Sequence, residues 1–247
     1  NDQFCDNLLF KAIKYSKSKI CEFVYRKIEN LIGDEMRLKE MLLERGGKKG
    51  QNILQCLINY GKLNSLSFFF EQVYCKYFNI QEIVDATDEE GQNLLFYLIN
   101  YPSNTGFEMI KNKFSSDDFR NFLMSKCKYG KNILHVAAGV SYEESLEFLL
   151  KFIHKEIEIE GIKKMLGERD EHKSFPLHYA VQNNLKIFET FFLLYERNFT
   201  YDEHNDFMKE SNDSYQVVFS LMRLDEKKFS SLENPKLQKM FHDFYAV

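Results

Sequence analysis

Apolar positions along this chain fall into a recurring block. The stretches Gly50–Tyr60 (GQNILQCLINY), Gly91–Tyr101 (GQNLLFYLINY) and Gly130–Ala138 (GKNILHVAA) share one frame, and Asp170–Ala180 and Asp2–Ala12 fit it as well. With Leu9, Leu54, Leu95, Leu134 and Leu177 taken as equivalent, the steps are 45, 41, 39 and 43 residues. A degenerate sixth copy is expected to begin near Asn212. Each block opens on a short apolar stretch, breaks, and continues into a longer segment of helical period. Leu146, Leu149, Leu150 and Ile153 fall at i, i+3, i+4 and i+7, and Ile187, Phe188, Phe191 and Phe192 crowd one face in the same way. Thr105-x-x-Glu108 and Ser141-x-x-Glu144 are capping-box patterns where these second helices should start.

The period is long because a further amphipathic piece follows each second helix: Glu35–Arg45, Ile80–Ala86, Phe119–Lys126, Gly161–Gly167 and Glu203–Met208. Ser115-x-x-Asp118 and Asn79-x-x-Glu82 read as N-caps of two of these third helices. One such unit cannot bury its apolar faces alone, whereas stacked neighbours can, so the pattern predicts an all-α solenoid. Residues 1–225 form the solenoid in this reading. In residues 226–247, Asn234-Pro235 starts a helix bearing Leu237, Met240, Phe241 and Phe244, expected to cap the open end of the same domain; a docking helix is the alternative.

Phe175-Pro-Leu-His-Tyr-Ala180 and Asn132-Ile-Leu-His-Val-Ala137 resemble the T-P-L-H-x-A signature of ankyrin repeats, and Asp88-Glu-Glu-Gly91 resembles the D-x-x-G turn before it. The departures are Asn in place of Thr at 7, 52, 93 and 132, Pro only at 176, and His only at 135 and 178. The resemblance implies an ankyrin-repeat solenoid of extended repeats, each with an extra short helix; armadillo-like three-helix repeats are the rival. It also implies recognition through turn tips and a concave face. By position, the turn residues are Lys48, Lys49 and Gln51, then Glu89, Glu90 and Gln92, then Lys128, Tyr129 and Lys131, then Glu171, His172 and Ser174. Tyr15, Tyr60 and Tyr101 stand in register at the ends of three successive first helices. They are candidates for an aromatic binding strip, or for packing that stiffens the stack.

Composition narrows the chemistry. A net charge of −4 over 247 residues argues against a nucleic acid as main ligand, and no apolar run is long enough to insert in a membrane. Residues 1–62 hold 12 basic and 8 acidic residues, so a basic first third adjoins an acidic remainder. The five cysteines include no CxxC and the six histidines no ligand spacing, which points to buried thiols in a cytoplasmic or nuclear setting, with no metal and no cofactor. No phosphate loop or nucleophile motif is present, and no residue stands out as catalytic. A chain opening on Asn1 is expected to be part of something longer. The expected function is a non-enzymatic module binding a protein partner. The alternatives are the cytosolic regulatory arm of a membrane channel, or a targeting arm for a catalytic domain elsewhere.

Overall fold

The computed structural model describes residues 8–101, 105–140, 142–183 and 185–200. These form five helical units in chain order. The first comprises α1 (Leu8–Tyr15), α2 (Ser18–Ile32) and α3 (Glu35–Leu43). The second has α4 (Ile53–Asn59) and a continuous outer helix made of α5 (Leu63–Ser67), a π-wound stretch (Phe68–Tyr74) and α6 (Cys75–Tyr77), then α7 (Ile80–Asp85). The third is α8 (Leu94–Leu98), α9 (Thr105–Lys111) and α10 (Ser116–Leu123). The fourth is α11 (Ile133–Gly139), α12 (Glu143–Glu156) and α13 (Ile159–Gly167). The fifth holds α14 (Pro176–Asn183) and α15 (Leu185–Asn198). Among the described residues only two isolated bridges pair extended backbone.

First helices stack on first helices: α1 on α4, α4 on α8, α8 on α11 and α11 on α14. The five frame leucines, Leu9, Leu54, Leu95, Leu134 and Leu177, are all buried, which is why the repeat is visible in the sequence. Asparagine at 52, 93 and 132 has a local cause: each is the N-cap of its first helix, its side chain accepting from backbone N–H groups one turn on. The outer layer is aromatic, with Tyr25 edge-on to Phe68 and Phe69, and Phe107 stacked 5.9 Å from Phe152.

Third helices appear in the first four units. Asn79 caps α7 with a complete capping box, and the Ser115 hydroxyl caps α10. The α10 helix starts and ends three residues before the expected Phe119–Lys126, because Ser115 sets its first turn and the chain then turns at Met124. The expected Ser141 cap, the fifth third helix, the sixth copy and the cap at 226–247 lie outside the described residues.

Candidate functional site

The second to fifth units each begin with a tight turn, and successive turns are joined by backbone hydrogen bonds. Glu89 N–H donates to the Lys49 carbonyl (2.9 Å), Lys128 N–H to Glu90 (2.8 Å), and Glu171 N–H to Tyr129 (3.0 Å). Inside two of the turns an aspartate organises the backbone. Asp88 Oδ1 accepts from the N–H groups of Glu90 and Gln92, and Asp170 Oδ1 from those of His172 and Ser174. The other carboxylate oxygen takes a tyrosine hydroxyl nine residues on: Tyr97 to Asp88 at 2.6 Å, Tyr179 to Asp170 at 2.5 Å. Burial and the adjacent aspartate push both phenols well above their usual range. Burial alone would raise Asp170, but the bonds from Tyr179, Ser174 and His172 outweigh it and hold the carboxyl below its ordinary value.

The turn closes through left-handed backbone at Gly50, Gly91 and Gly130; in the fifth unit Lys173 takes that conformation, at φ 60°. His135 then ties turn to helix: its Nδ1 accepts from Asn132 N–H (3.2 Å), and Nε2 meets the Ser174 carbonyl of the next unit at 3.0 Å. Gln55, at the equivalent position, does both jobs with an amide. Its Oε1 accepts from Asn52 N–H (2.8 Å) and its Nε2 donates to the Gln92 carbonyl (2.7 Å).

Between the second and third units these parts enclose a groove of about 440 Å³ lined by Lys48, Lys49, Gln51, Ile58, Asn59, Tyr60, Gln92, Tyr97, Asn100 and Tyr101. Six of the residues expected to bind a partner therefore come together: Lys48, Lys49, Gln51, Gln92, Tyr60 and Tyr101. Lys48 and Lys49 are exposed at the mouth, whereas Gln51 is turned inward, with its Nε2 donating to the Tyr97 hydroxyl at 3.0 Å. Tyr101 lies against the preceding unit, its hydroxyl 3.3 Å from where a Cβ on Gly61 would stand, and Tyr60 is half-buried against the core.

The remaining expected residues stand elsewhere. Tyr15 is outside the groove, 72% exposed, with the Lys14 ammonium over its ring. Glu90 is half-buried and paired with Lys49 at 2.9 Å, which makes that pair a strut between turns. Lys131 sits over the Tyr179 ring at 4.3 Å. Glu89, Lys128 and Tyr129 are exposed on the outer turns. Asn59, Asn100 and Tyr97 complete the groove; the only sequence trace of Tyr97's role is the Asp-to-Tyr spacing of nine shared by units three and five.

Among the described residues no group of three His, Cys, Asp or Glu side chains is placed to hold a metal ion, and no helix is long and apolar enough to cross a membrane. No protein-family model matches the sequence, and no curated protein is similar to it by sequence. Solved structures do resemble it. The ankyrin repeat domain of Bcl-3, a unique member of the IkappaB protein family, matches over 81% of this chain and 75% of its own, with a TM-score of 0.51 and 16% identity. The architecture is thus a divergent ankyrin-repeat solenoid, with an additional short helix in each of the first four units.

Proposed function

We propose that this chain is a non-enzymatic module that binds a protein partner in the groove between the second and third units. The observation that carries this reading is the convergence of Lys48, Asn59, Asn100, Tyr60 and Tyr101 on one open concavity of about 440 Å³. Amides and phenols can both donate and accept hydrogen bonds, so such a lining suits a polypeptide, and tyrosine adds contact area at low entropic cost. Lys48 supplies rim charge that steers association more than it holds the complex. Cys21, Cys56, Cys75 and Cys127 stand as thiols outside any disulfide, which favours a reducing, cytosolic or nuclear setting for this activity.

The test is selection of ligands from a proteome-derived peptide display library on the purified chain, followed by affinity and melting measurements on Asn59→Arg, Tyr60→Ala and Lys48→Glu. Loss of binding by Asn59→Arg and Tyr60→Ala with cooperative melting retained, and for Lys48→Glu an on-rate that is slower and falls less with added salt, supports the reading. Ligands that bind all three variants as they bind the parent overturn it.

A further inference from the structure

Carboxylates are kept off one layer of this protein. The first helices of the five units, α1, α4, α8, α11 and α14, contain no aspartate or glutamate, and their only lysines are Lys11 and Lys14 of α1. Every second and third helix among the described residues carries at least one carboxylate. The chain as a whole is acidic, with 37 Asp and Glu against 33 Lys and Arg, so its negative charge is concentrated on the outer layers.

The groove between the second and third units opens on the first-helix layer, and its charged lining is Lys48 and Lys49 alone. Lys14 stands five residues after Leu9, as Asn59 and Asn100 stand after Leu54 and Leu95, and Lys11 takes the place of Tyr97. Because α1 packs on α4, these two lysines flank the groove on one side. On the other side the turn of the fourth unit presents Lys128, bonded through its backbone N–H to the Glu90 carbonyl. The intervening turns do hold two glutamates. Glu90 is paired with Lys49 at 2.9 Å, and the Glu89 side chain lies over Gly50, outside the groove lining. Lys11, Lys48 and Lys128 are exposed and make no ion pair among the described residues.

On the reading that this groove holds the partner, we propose that the occupant is an extended acidic stretch of polypeptide, running from Lys11 and Lys14 past Lys48 to Lys128. First helices packed about 10 Å apart spread those cations over roughly 30 Å, the reach of about nine extended residues. Acidic side chains of the segment meet the lysines. Its main chain meets the amides of Asn59 and Gln92, whose side chains make no hydrogen bond among the described residues. A basic segment would find no carboxylate in the groove lining to pair with. A polynucleotide carries a charge on every residue, whereas this face offers isolated cations separated by neutral amides and phenols.

A randomised dodecapeptide display library selected on the purified 247-residue chain supplies the probe, and peptides that lose binding to Asn59→Arg are the groove binders. They should be richer in Asp and Glu than in Lys and Arg. They should bind Lys11→Glu/Lys128→Glu on the order of tenfold more weakly, with melting unchanged. Lys155→Glu/Lys164→Glu, exposed on α12 and α13, alters net charge equally and should bind them as the parent does. An oligothymidylate of the same length should not displace them. Groove binders that are neutral or basic, that ignore the flanking reversal, that weaken as much on the distant one, or that yield to the oligothymidylate overturn the acidic occupant while leaving the groove as the binding site. Absence of any peptide lost by Asn59→Arg overturns the groove itself, and the acidic occupant with it. Should the flanking double variant fail to fold, Lys11→Gln/Lys128→Gln takes its place, with a several-fold loss expected and an unchanged affinity overturning the proposal.

Discussion

His135 sits in a slot that the second unit fills with Gln55, and the two side chains differ in one respect that can be measured. Both join the N-cap N–H of their own helix to a carbonyl of the next turn. Only the imidazole can take up a proton. His135 is 1% exposed, and burial, which disfavours the charged ring, lowers its pKa to about 4. An unfolded histidine titrates near about 6.5, so between these values the unfolded chain binds more protons than the folded one. Stability therefore falls as pH drops through the unfolded value, and the loss levels off below the folded one. The full loss is about 3 kcal/mol, of which about 2 kcal/mol accrues between pH 7.5 and pH 5. His135→Gln should keep neutral-pH stability within about 1 kcal/mol and abolish that acid-dependent loss. Urea denaturation of both proteins at the two pH values reads the difference directly. His178 is common to both and cancels. A variant that loses as much stability on acidification as its parent would refute the linkage, and one that collapses at pH 7.5 would refute the equivalence of the two slots.

Lys173→Gly should raise stability by roughly 1 kcal/mol in thermal melts, because the left-handed backbone at 173 favours glycine. In contrast, Gly91→Ala should destabilise by more than that, since its Cβ would stand 2.6 Å from the Lys128 backbone nitrogen. Tyr97→Phe should cost about 1–3 kcal/mol in chemical denaturation, because Asp88 Oδ2 loses its 2.6 Å donor and the Gln51 amide its acceptor. Phe188→Ala, on a ring only 2% exposed, should cost about 3–5 kcal/mol, far more than Asn59→Arg on the exposed groove wall; comparable losses would mean the groove wall is packing rather than surface.

The repeat was legible because the frame leucines are buried in all five units and because Asn52, Asn93 and Asn132 cap the first helices of the second, third and fourth. The third helices could be read from Asn79 and Ser115, whose side chains act within four residues. What could not be read joins residues of different units. The inward turn of Gln51 depends on a hydroxyl at Tyr97, forty-six positions on. The pairing of Lys49 with Glu90, and of Lys131 with the Tyr179 ring, is likewise settled by stacking. The π-wound turn at Phe68–Tyr74 has no periodic signature, since its apolar residues suit an α-helix equally. Of the turn residues that the resemblance offers to a partner, Gln51, Glu90 and Lys131 make contacts within the stack.

The aspartate clasp seen at 88 and 170 is missing between them. At the corresponding place stands Cys127, and Val136 stands where the tyrosine should be, so the amides of Tyr129 and Lys131 have no carboxylate to reach. That turn keeps its backbone closures, Cys127 N–H to the Lys131 carbonyl and Gly130 N–H to Cys127, and its backbone bonds to the turns on either side, but not the two bonds an aspartate would accept. In an array whose cohesion is the sum of neighbour-to-neighbour terms, the weakest link sets where opening begins. Native-state deuterium uptake should accordingly break through earlier at 127–131, and at 47–51 where Gly47 likewise stands at the aspartate's place, than at the clasped turns 88–92 and 170–174.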